Sequence, residues 1–336
     1  MATDAITVEA SGREVRITSP DKVFFSKAGA TKLDLVEYYL AVGDPLLRTI
    51  QGRPTMMQRF PDGASGKSFF QKRVPKGTPD WIETTELSTP NGTTSNALVV
   101  ADLAHLLWAV NMGCLGFHPW PFHASTPGTT DELRIDLDPS KGVGFDEVRE
   151  AATETRTLLA DEGITSYVKT SGNRGLHVYV RLATGWDSFE VRQAAVALAR
   201  ELERRRPDLL TAAWWKEERG ERVFVDYNQN APHKTVFGAW CVRPRVGGQV
   251  SCPISWDEVA TFDPEALTLD VVPDRVAADG DPWAAMGDGP QDIGRLIARY
   301  QQDLDDGLPD APWPPVYPKM PHEPPRVAPS RARHDD

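Results

Sequence analysis

One short segment narrows the possible folds more than any other: Leu133-Arg-Ile-Asp136-Leu-Asp138-Pro139. Side chains of an extended strand alternate between faces, so Asp136 and Asp138, two residues apart, project from the same side. Two neighbouring carboxylates repel one another unless a cation sits between them. Mg²⁺ and Mn²⁺ take oxygen ligands of this kind. A second strand pattern, Val223-Phe-Val-Asp226, ends on a third acid that would complete a pocket for two ions. Such a pair of ions activates a hydroxyl and neutralises charge at a phosphate. Taken alone, the first segment also fits a strand that simply ends in an Asp-Pro turn.

Strand and helix patterns alternate around these acids. Strands are expected at 133–137, 164–170, 176–182 and 222–227, with helices at 145–162 and 189–204. That order indicates an α/β sheet with helices packed against it. Earlier in the chain, residues 6–18 read as a hairpin around Ser11-Gly12. Residues 32–50 read as one helix after a Thr31 cap, and 101–112 as an apolar helix. A strand is expected at 54–60, and two extended pieces within 79–100 flank a Pro90-Asn91-Gly92 turn. A further extended stretch is expected near 236–242 and a helix at 290–304; from Pro312 the proline-dense end reads as flexible. The division expected is one catalytic domain over 1–300 and a tail over 305–336. Within the domain, 1–130 is an N-terminal half, 131–260 the half that carries the three acids and 261–304 an acidic helical end.

Charge sharpens this division. The net charge is −11, yet residues 1–76 hold 12 Lys+Arg against 8 Asp+Glu. Phosphate affinity follows local potential within roughly 8–10 Å, so a basic N-terminal face is compatible with nucleic acid on an acidic protein. The three scattered cysteines, Cys114, Cys241 and Cys252, show neither zinc spacing nor a disulfide framework, which points to a reducing cytoplasm. No secretory leader and no long apolar run is written in the chain, so no membrane partner is expected.

Two more motifs bear on phosphate. In Thr170-Ser171-Gly172-Asn173-Arg174-Gly175-Leu176-His177, glycines, a hydroxyl and a cation suit a turn whose amides and side chains face a triphosphate. A glycine-rich hairpin would read the same way. The run Asp226-Tyr-Asn-Gln229-Asn-Ala-Pro-His-Lys234-Thr235, followed by Arg243-Pro-Arg245, places amides and cations just beyond the third acid. Such side chains can hold phosphates and sugar edges, or can form an ordinary polar loop.

In combination these motifs resemble the archaeo-eukaryotic primase superfamily, and most closely the polymerase domain of bacterial ligase D, over roughly residues 6–300. The resemblance implies an α/β (α+β) primase-polymerase fold: an RNA-recognition-like catalytic sheet packed against an N-terminal α/β unit. It implies that Asp136, Asp138 and Asp226 are the metal ligands, for two Mn²⁺ or Mg²⁺ ions. It implies a pocket for the incoming nucleoside triphosphate from His118, Ser171, Arg174, His177, Gln229 and Arg243. Lys22 and Lys32 resemble the pair that grips a downstream 5′-phosphate, Phe69 and Phe70 the aromatics that stack on template bases, and Arg219 a basic residue on a regulatory loop.

The chain departs from the family in carrying Arg174 where Lys is common, which keeps the charge but changes the hydrogen-bond shape. Nothing of the size of the family's fused ligase and nuclease follows residue 300 in this sequence, so a resemblance to the stand-alone members is expected. The implied activity is template-directed filling of short gaps or ends in DNA repair, with ribonucleotides preferred. Its implied partners are gapped or broken DNA bearing a 5′-phosphate, a separate ligase and an end-binding protein. De novo priming, or a non-catalytic end-binding module that recruits a ligase, are the competing expectations.

Overall fold

The computed structural model describes residues 5–89 and 92–328. Strands β1 (Ile6–Ala10) and β2 (Arg13–Ile17) form the expected hairpin. Its turn uses Ser11 and Gly12 at φ of 51° and 71°, the backbone that a tight two-residue hairpin needs. Strands β3 (Val23–Phe25) and β4 (Ala30–Thr31) pair next. Thr31 then caps α1 (Lys32–Ala41): its hydroxyl accepts from the Asp34 N–H while the Asp34 carboxylate accepts from the Thr31 N–H at 2.6 Å. The single helix expected over 32–50 is broken, and α2 runs Gly43–Ile50. Pro45 explains the break, because a proline cannot bond back into the preceding turn and clashes with the carbonyl four residues before it.

Strands β5 (Pro54–Arg59), β6 (Phe69–Gln71), β7 (Thr84–Ser88) and β8 (Thr94–Val99) lead to α3 (Leu103–Asn111) and β9 (Cys114–Pro119). They form a five-stranded sheet in which β9 lies along one edge of β5 while β6 and β8 share the other. The β7–β8 pairing supports the expected turn, of which Pro90 and Asn91 lie outside the described residues. Strand β9 was not expected; its pattern is interrupted by Gly116 and closed by Pro119, which weakens the strand signal.

The chain continues through β10 (Glu132–Pro139), α4 (Phe145–Asp161), β11 (Tyr167–Thr170), β12 (Leu176–Arg181), α5 (Ser188–Arg205), β13 (Leu210–Thr211) and β14 (Val223–Asp226). After β15 (Pro253–Ile254) come α6 (Val272–Asp279) and α7 (Gly294–Asp305). The stretch expected to be extended at 236–242 forms no strand; Val242 makes only an isolated bridge to Val250. Two compact units interleave along the chain, where the sequence reading divides it into consecutive halves. One gathers the described residues of 5–127, 169–173 and 235–285, the other 128–168, 174–234 and 286–328. None of the described helices is long and apolar enough to cross a membrane.

The second unit carries strands in the order β13-β14-β10-β12. Alternation divides this sheet sharply. Leu133, Ile135 and Leu137 of β10 pair with Val180, Val178 and Leu176 of β12, and all six are buried. Helix α4 packs on β10, β12 and β14, and α5 on β10 and β13, burying apolar residues such as Val148, Leu158, Val191 and Leu198. The even-numbered positions of β10, Glu132, Arg134, Asp136 and Asp138, therefore occupy the opposite face.

β14 pairs with β10 only from Asp136 to Pro139. Beyond it the chain turns into a short 3₁₀ segment, Tyr227–Asn230, and the Asn230 amide continues the ladder. Its Oδ1 accepts from the Arg134 N–H at 2.9 Å and its Nδ2 donates to the Arg134 carbonyl at 2.7 Å. The proline-rich end, expected to be flexible, is instead packed as far as it is described: Asp310, Trp313, Tyr317 and Glu323 are buried. Composition alone suggested freedom, but these four aromatic and acidic anchors hold the segment down. Asn230→Ala would strip partners from two buried backbone groups and destabilise the fold by about 2–3 kcal/mol. Urea unfolding measures this, and an unchanged midpoint would show that the amide does not tie the loop to β10.

Candidate active site

The register of β10 against β14 brings the acids together. Asp136 is the direct partner of Asp226, and Asp138 lies opposite Phe224. Directly opposed residues in an antiparallel pair have Cβ atoms about 4.5–5.5 Å apart. On the other edge of β10, Asp136 is the partner of His177, whose Nε2 lies 3.3 Å from Asp136 Oδ1. Asp226 accepts from the Asn228 N–H at 3.0 Å and from Gln229 Nε2 at 2.8 Å. Burial raises the Asp226 carboxyl above the usual range; those two hydrogen bonds and the charge of Lys234 pull it back, and Asp138 adds to the rise.

Arg219 faces the same acids. Its guanidinium lies 3.6 Å from the centre of the Phe224 ring and donates to the carbonyls of Ala213 and Trp214 at 3.1 and 2.8 Å. Burial lowers its pKa, opposed by the charges of Asp226 and Asp138. The cation expected on a regulatory loop is thus folded back onto that loop's own carbonyls, with its charge directed at the acidic face.

Among the described residues, no three His, Cys, Asp or Glu side chains are gathered as a finished metal cluster. The donor set itself fits a hard divalent cation, since three carboxylates rise from one face and two are directly opposed. Their heads turn toward separate neighbours, Asp136 to His177 and Asp226 to Asn228 and Gln229, which is the arrangement that like charges favour. Gln229, expected near a nucleotide sugar, is engaged by Asp226. Arg174 is exposed on the turn before β12. Asn228 and Asn230 were missed as individual residues, although the Asn-Gln-Asn run after Asp226 is the signal that a side-chain-bonded turn follows the strand.

The first unit holds a second group. His118, on β9, meets Phe70 and Phe237 edge-on at 5.6 and 5.2 Å. Burial, with the charges of Arg243 and Lys169, holds its pKa down to about 3, so the ring is neutral. Its Nε2 is buried and has no hydrogen-bond partner among the described residues. An orphaned buried nitrogen of this kind calls for a ligand or a water. The Arg243 guanidinium stacks 4.0 Å from the Phe237 ring, and its Nε donates to the Ser171 carbonyl at 2.5 Å. Ser171 Oγ accepts from the Asn173 N–H, and Asn173 also accepts from Arg245. Gly172 has φ of 69°, and a Cβ there would stand 2.6 Å from Arg243 Cγ and 3.1 Å from the Ser251 nitrogen, so only glycine fits. Lys169, fully buried with Nζ 2.6 Å from Ser251 Oγ, adds a cation that its apolar strand neighbours concealed in the sequence.

The remaining expected residues also lie in this unit. Phe69 and Phe70 of β6 are 47% and 57% exposed, which excludes the core-strand alternative. Arg59 lies 5.3 Å from the Phe69 ring centre. Lys22 donates to the Pro61 carbonyl at 2.6 Å and to Asp62 at 3.2 Å. Lys32 is buried, and its ammonium donates to the carbonyls of Thr18 and Asn111 at 2.5 and 3.2 Å. Burial and then the charge of Lys22 lower its pKa, which places the two ammonium groups within each other's field.

A family model described as the LigD primase-polymerase domain matches residues 31–283. The chain is 33% identical over 307 residues to the multifunctional non-homologous end joining protein LigD of Mycolicibacterium smegmatis, covering 91% of this chain and 40% of that protein. It is 34% identical over 281 residues to the bifunctional non-homologous end joining protein LigD of Bacillus subtilis, covering 83% of this chain and 45% of that one. Among solved structures, it resembles the polymerase domain from Mycobacterium tuberculosis Ligase D in complex with DNA. The TM-score is 0.76 at 32% identity, over 82% of this chain and 98% of that one. The chain therefore spans less than half the length of these curated relatives and nearly the whole of the solved domain. It belongs to the primase-polymerase domain family of LigD, a family of DNA-directed nucleotidyltransferases.

Proposed function

We propose that this chain fills short gaps or ends in DNA repair by primer extension, with ribonucleotides preferred and a downstream 5′-phosphate recognised. The observation that carries the reading is the register that opposes Asp136 to Asp226 with Asp138 on the same face, in a chain of this family. Asp136, Asp138 and Asp226 would hold two divalent ions, Mn²⁺ or Mg²⁺, which when bound activate the primer 3′-hydroxyl and neutralise charge at the α-phosphate. The chain's own side chains do the rest. Neutral His118 offers its unpaired Nε2 to the nucleotide, and Ser171, Arg174, His177 and Arg243 serve as its polar and cationic contacts. Gln229 holds Asp226 in place. Exposed Phe69 and Phe70 stack on template bases. A 5′-phosphate shared by Lys22 and Lys32 would relieve their mutual repulsion. Gapped or broken DNA, a separate ligase and an end-binding protein are the proposed partners.

Extension of a labelled primer across a short gap tests the activity, with ribonucleotides compared with deoxyribonucleotides and Mn²⁺ with Mg²⁺. Template-directed ribonucleotide addition is expected. Asp136→Ala should reduce it by roughly three orders of magnitude, the several kcal/mol of transition-state stabilisation that a metal site supplies. Comparable turnover in that variant would overturn the assignment of the acids.

Asp226→Asn should be inactive and yet melt higher than wild type in metal-free buffer at pH 7. A carboxyl raised by burial is favourable to the fold only while protonated, and that contribution is lost as pH rises through its folded-state pKa. A neutral amide removes the penalty at neutral pH, so a lower melting temperature would contradict the buried-charge account. Finally, Lys22→Ala should weaken binding to a 5′-phosphorylated gap about tenfold while barely changing binding to a 5′-hydroxyl gap. Equal losses on the two substrates would reduce Lys22 to a generic backbone contact.

A further inference from the structure

The loop that carries Asp226 is contacted within its unit by a segment beyond the family match, which ends at residue 283. The contacts converge on Arg192 of α5, which is fully buried. Its Nε donates to Asn228 Oδ1 at 2.8 Å, two residues after Asp226. Its Nη1 donates to Asp310 at 3.1 Å and its Nη2 to the Ala311 carbonyl at 2.8 Å. The guanidinium lies between two rings, 3.8 Å from the centre of Trp313 and 5.6 Å from that of Tyr227. Asn228 Nδ2 reaches the same segment directly, donating to the Pro312 carbonyl at 3.0 Å.

Asp310, the acid of this cluster, is saturated. Besides Arg192 it accepts from Tyr300 Oη, Trp313 Nε1 and the Ala311 N–H, each at 2.7 Å. Farther along, Tyr317 Oη donates to the Pro232 carbonyl, and Trp313 and Tyr317 pack on Ala231. Glu323 closes the segment on itself, accepting from the Trp313 N–H at 2.8 Å and from Arg326. Asn228, Ala231 and Pro232, which this segment touches, all lie in the short run between Asp226 and Lys234.

We propose that residues 309–323 form a strap that braces the 226–234 loop, and that Arg192, Trp313 and Tyr317 are positioning residues for Asp226. None of them reaches the acidic face; they act by fixing the turn whose Asn228 N–H and Gln229 amide hold the Asp226 carboxylate. A buried guanidinium with all its partners supplied by two separate segments locks those segments together, because freeing either leaves an uncompensated buried charge. Bracing of this kind tunes a ligand through its supporting shell. The proposal rests on the reading of Asp226 as a catalytic carboxylate.

Trp313→Ala and Tyr317→Phe test it in the full-length chain, well below their melting temperatures. Two readouts are combined: hydrogen exchange of the 226–234 amides, and the Mn²⁺ concentration that half-saturates primer extension. Trp313→Ala should exchange faster in that loop and need about tenfold more Mn²⁺, the usual effect of losing a supporting contact, with the KM for DNA unchanged. A folded variant with the wild-type Mn²⁺ midpoint would overturn the proposal, since a merely stabilising strap would lower only the melting temperature. Should Trp313→Ala fail to fold, Tyr317→Phe decides, because it removes a single hydroxyl and keeps the ring. It should shift both readouts in the same direction by less, and unchanged exchange would overturn the brace. A wild type that incorporates no nucleotide would sink the functional reading, while the exchange measurement would still decide whether the strap braces the loop.

Discussion

The antiparallel register of β10 against β14 is the constraint on which the site depends. It places Asp136 opposite Asp226, and the same alternation sends Ile135 and Leu137 to the helix-covered face. A slip of one residue would exchange the two sets, burying carboxylates under α4 and exposing the apolar residues. The hydrophobic preference of the odd positions therefore fixes the acidic positions without any attraction between the acids themselves. Asn230 reinforces the register where β14 ends, by continuing the hydrogen-bond ladder at Arg134 with a side chain.

Opposed carboxylates work against folding unless they are balanced. Here the balance is distributed among His177 beside Asp136, the Asn228 and Gln229 donors on Asp226, and the Arg219 charge facing Asp226 and Asp138. Asp226 still lies above the ordinary carboxylate range, so the site stores some unfavourable electrostatics. The first unit shows the complementary device. His118 is kept neutral by burial and by Arg243 and Lys169, which leaves a nitrogen that lacks a hydrogen-bond partner among the described residues, near cations suited to an anion. Both groups carry a local cost in stability, a compromise that functional sites commonly show.

The pair Asp136 and Asp138 was legible in the sequence because strand periodicity and two-residue spacing are local properties, whereas the pairing that sets Asp226 opposite Asp136 is long-range. Gly172 and the Ser171 turn were legible for the same reason, their role being set by backbone conformation within a few residues. What was not legible depended on partners far along the chain. Lys169 reads as an ordinary residue of a strand until Ser251 receives it, and Arg192 reads as a solvated helix position until Asp310 and Asn228 enclose it. Proline density from Pro312 suggested a free end, yet Trp313 and Tyr317 decide its fate through packing that composition does not express. The grouping of residues 169–173 and 235–285 with the N-terminal part of the chain rests likewise on long-range contacts, which local pattern does not express.

The central claim, that the opposed acids of β10 and β14 hold divalent ions, is tested most directly by titrating Mn²⁺ into the nucleotide-free protein. Electron paramagnetic resonance of the free ion follows binding, with Asp136→Asn beside the wild type. Saturable binding by the wild type, weakened about tenfold or more in the variant, is the predicted result. Equal binding by both proteins would place the ions elsewhere and contradict the assignment.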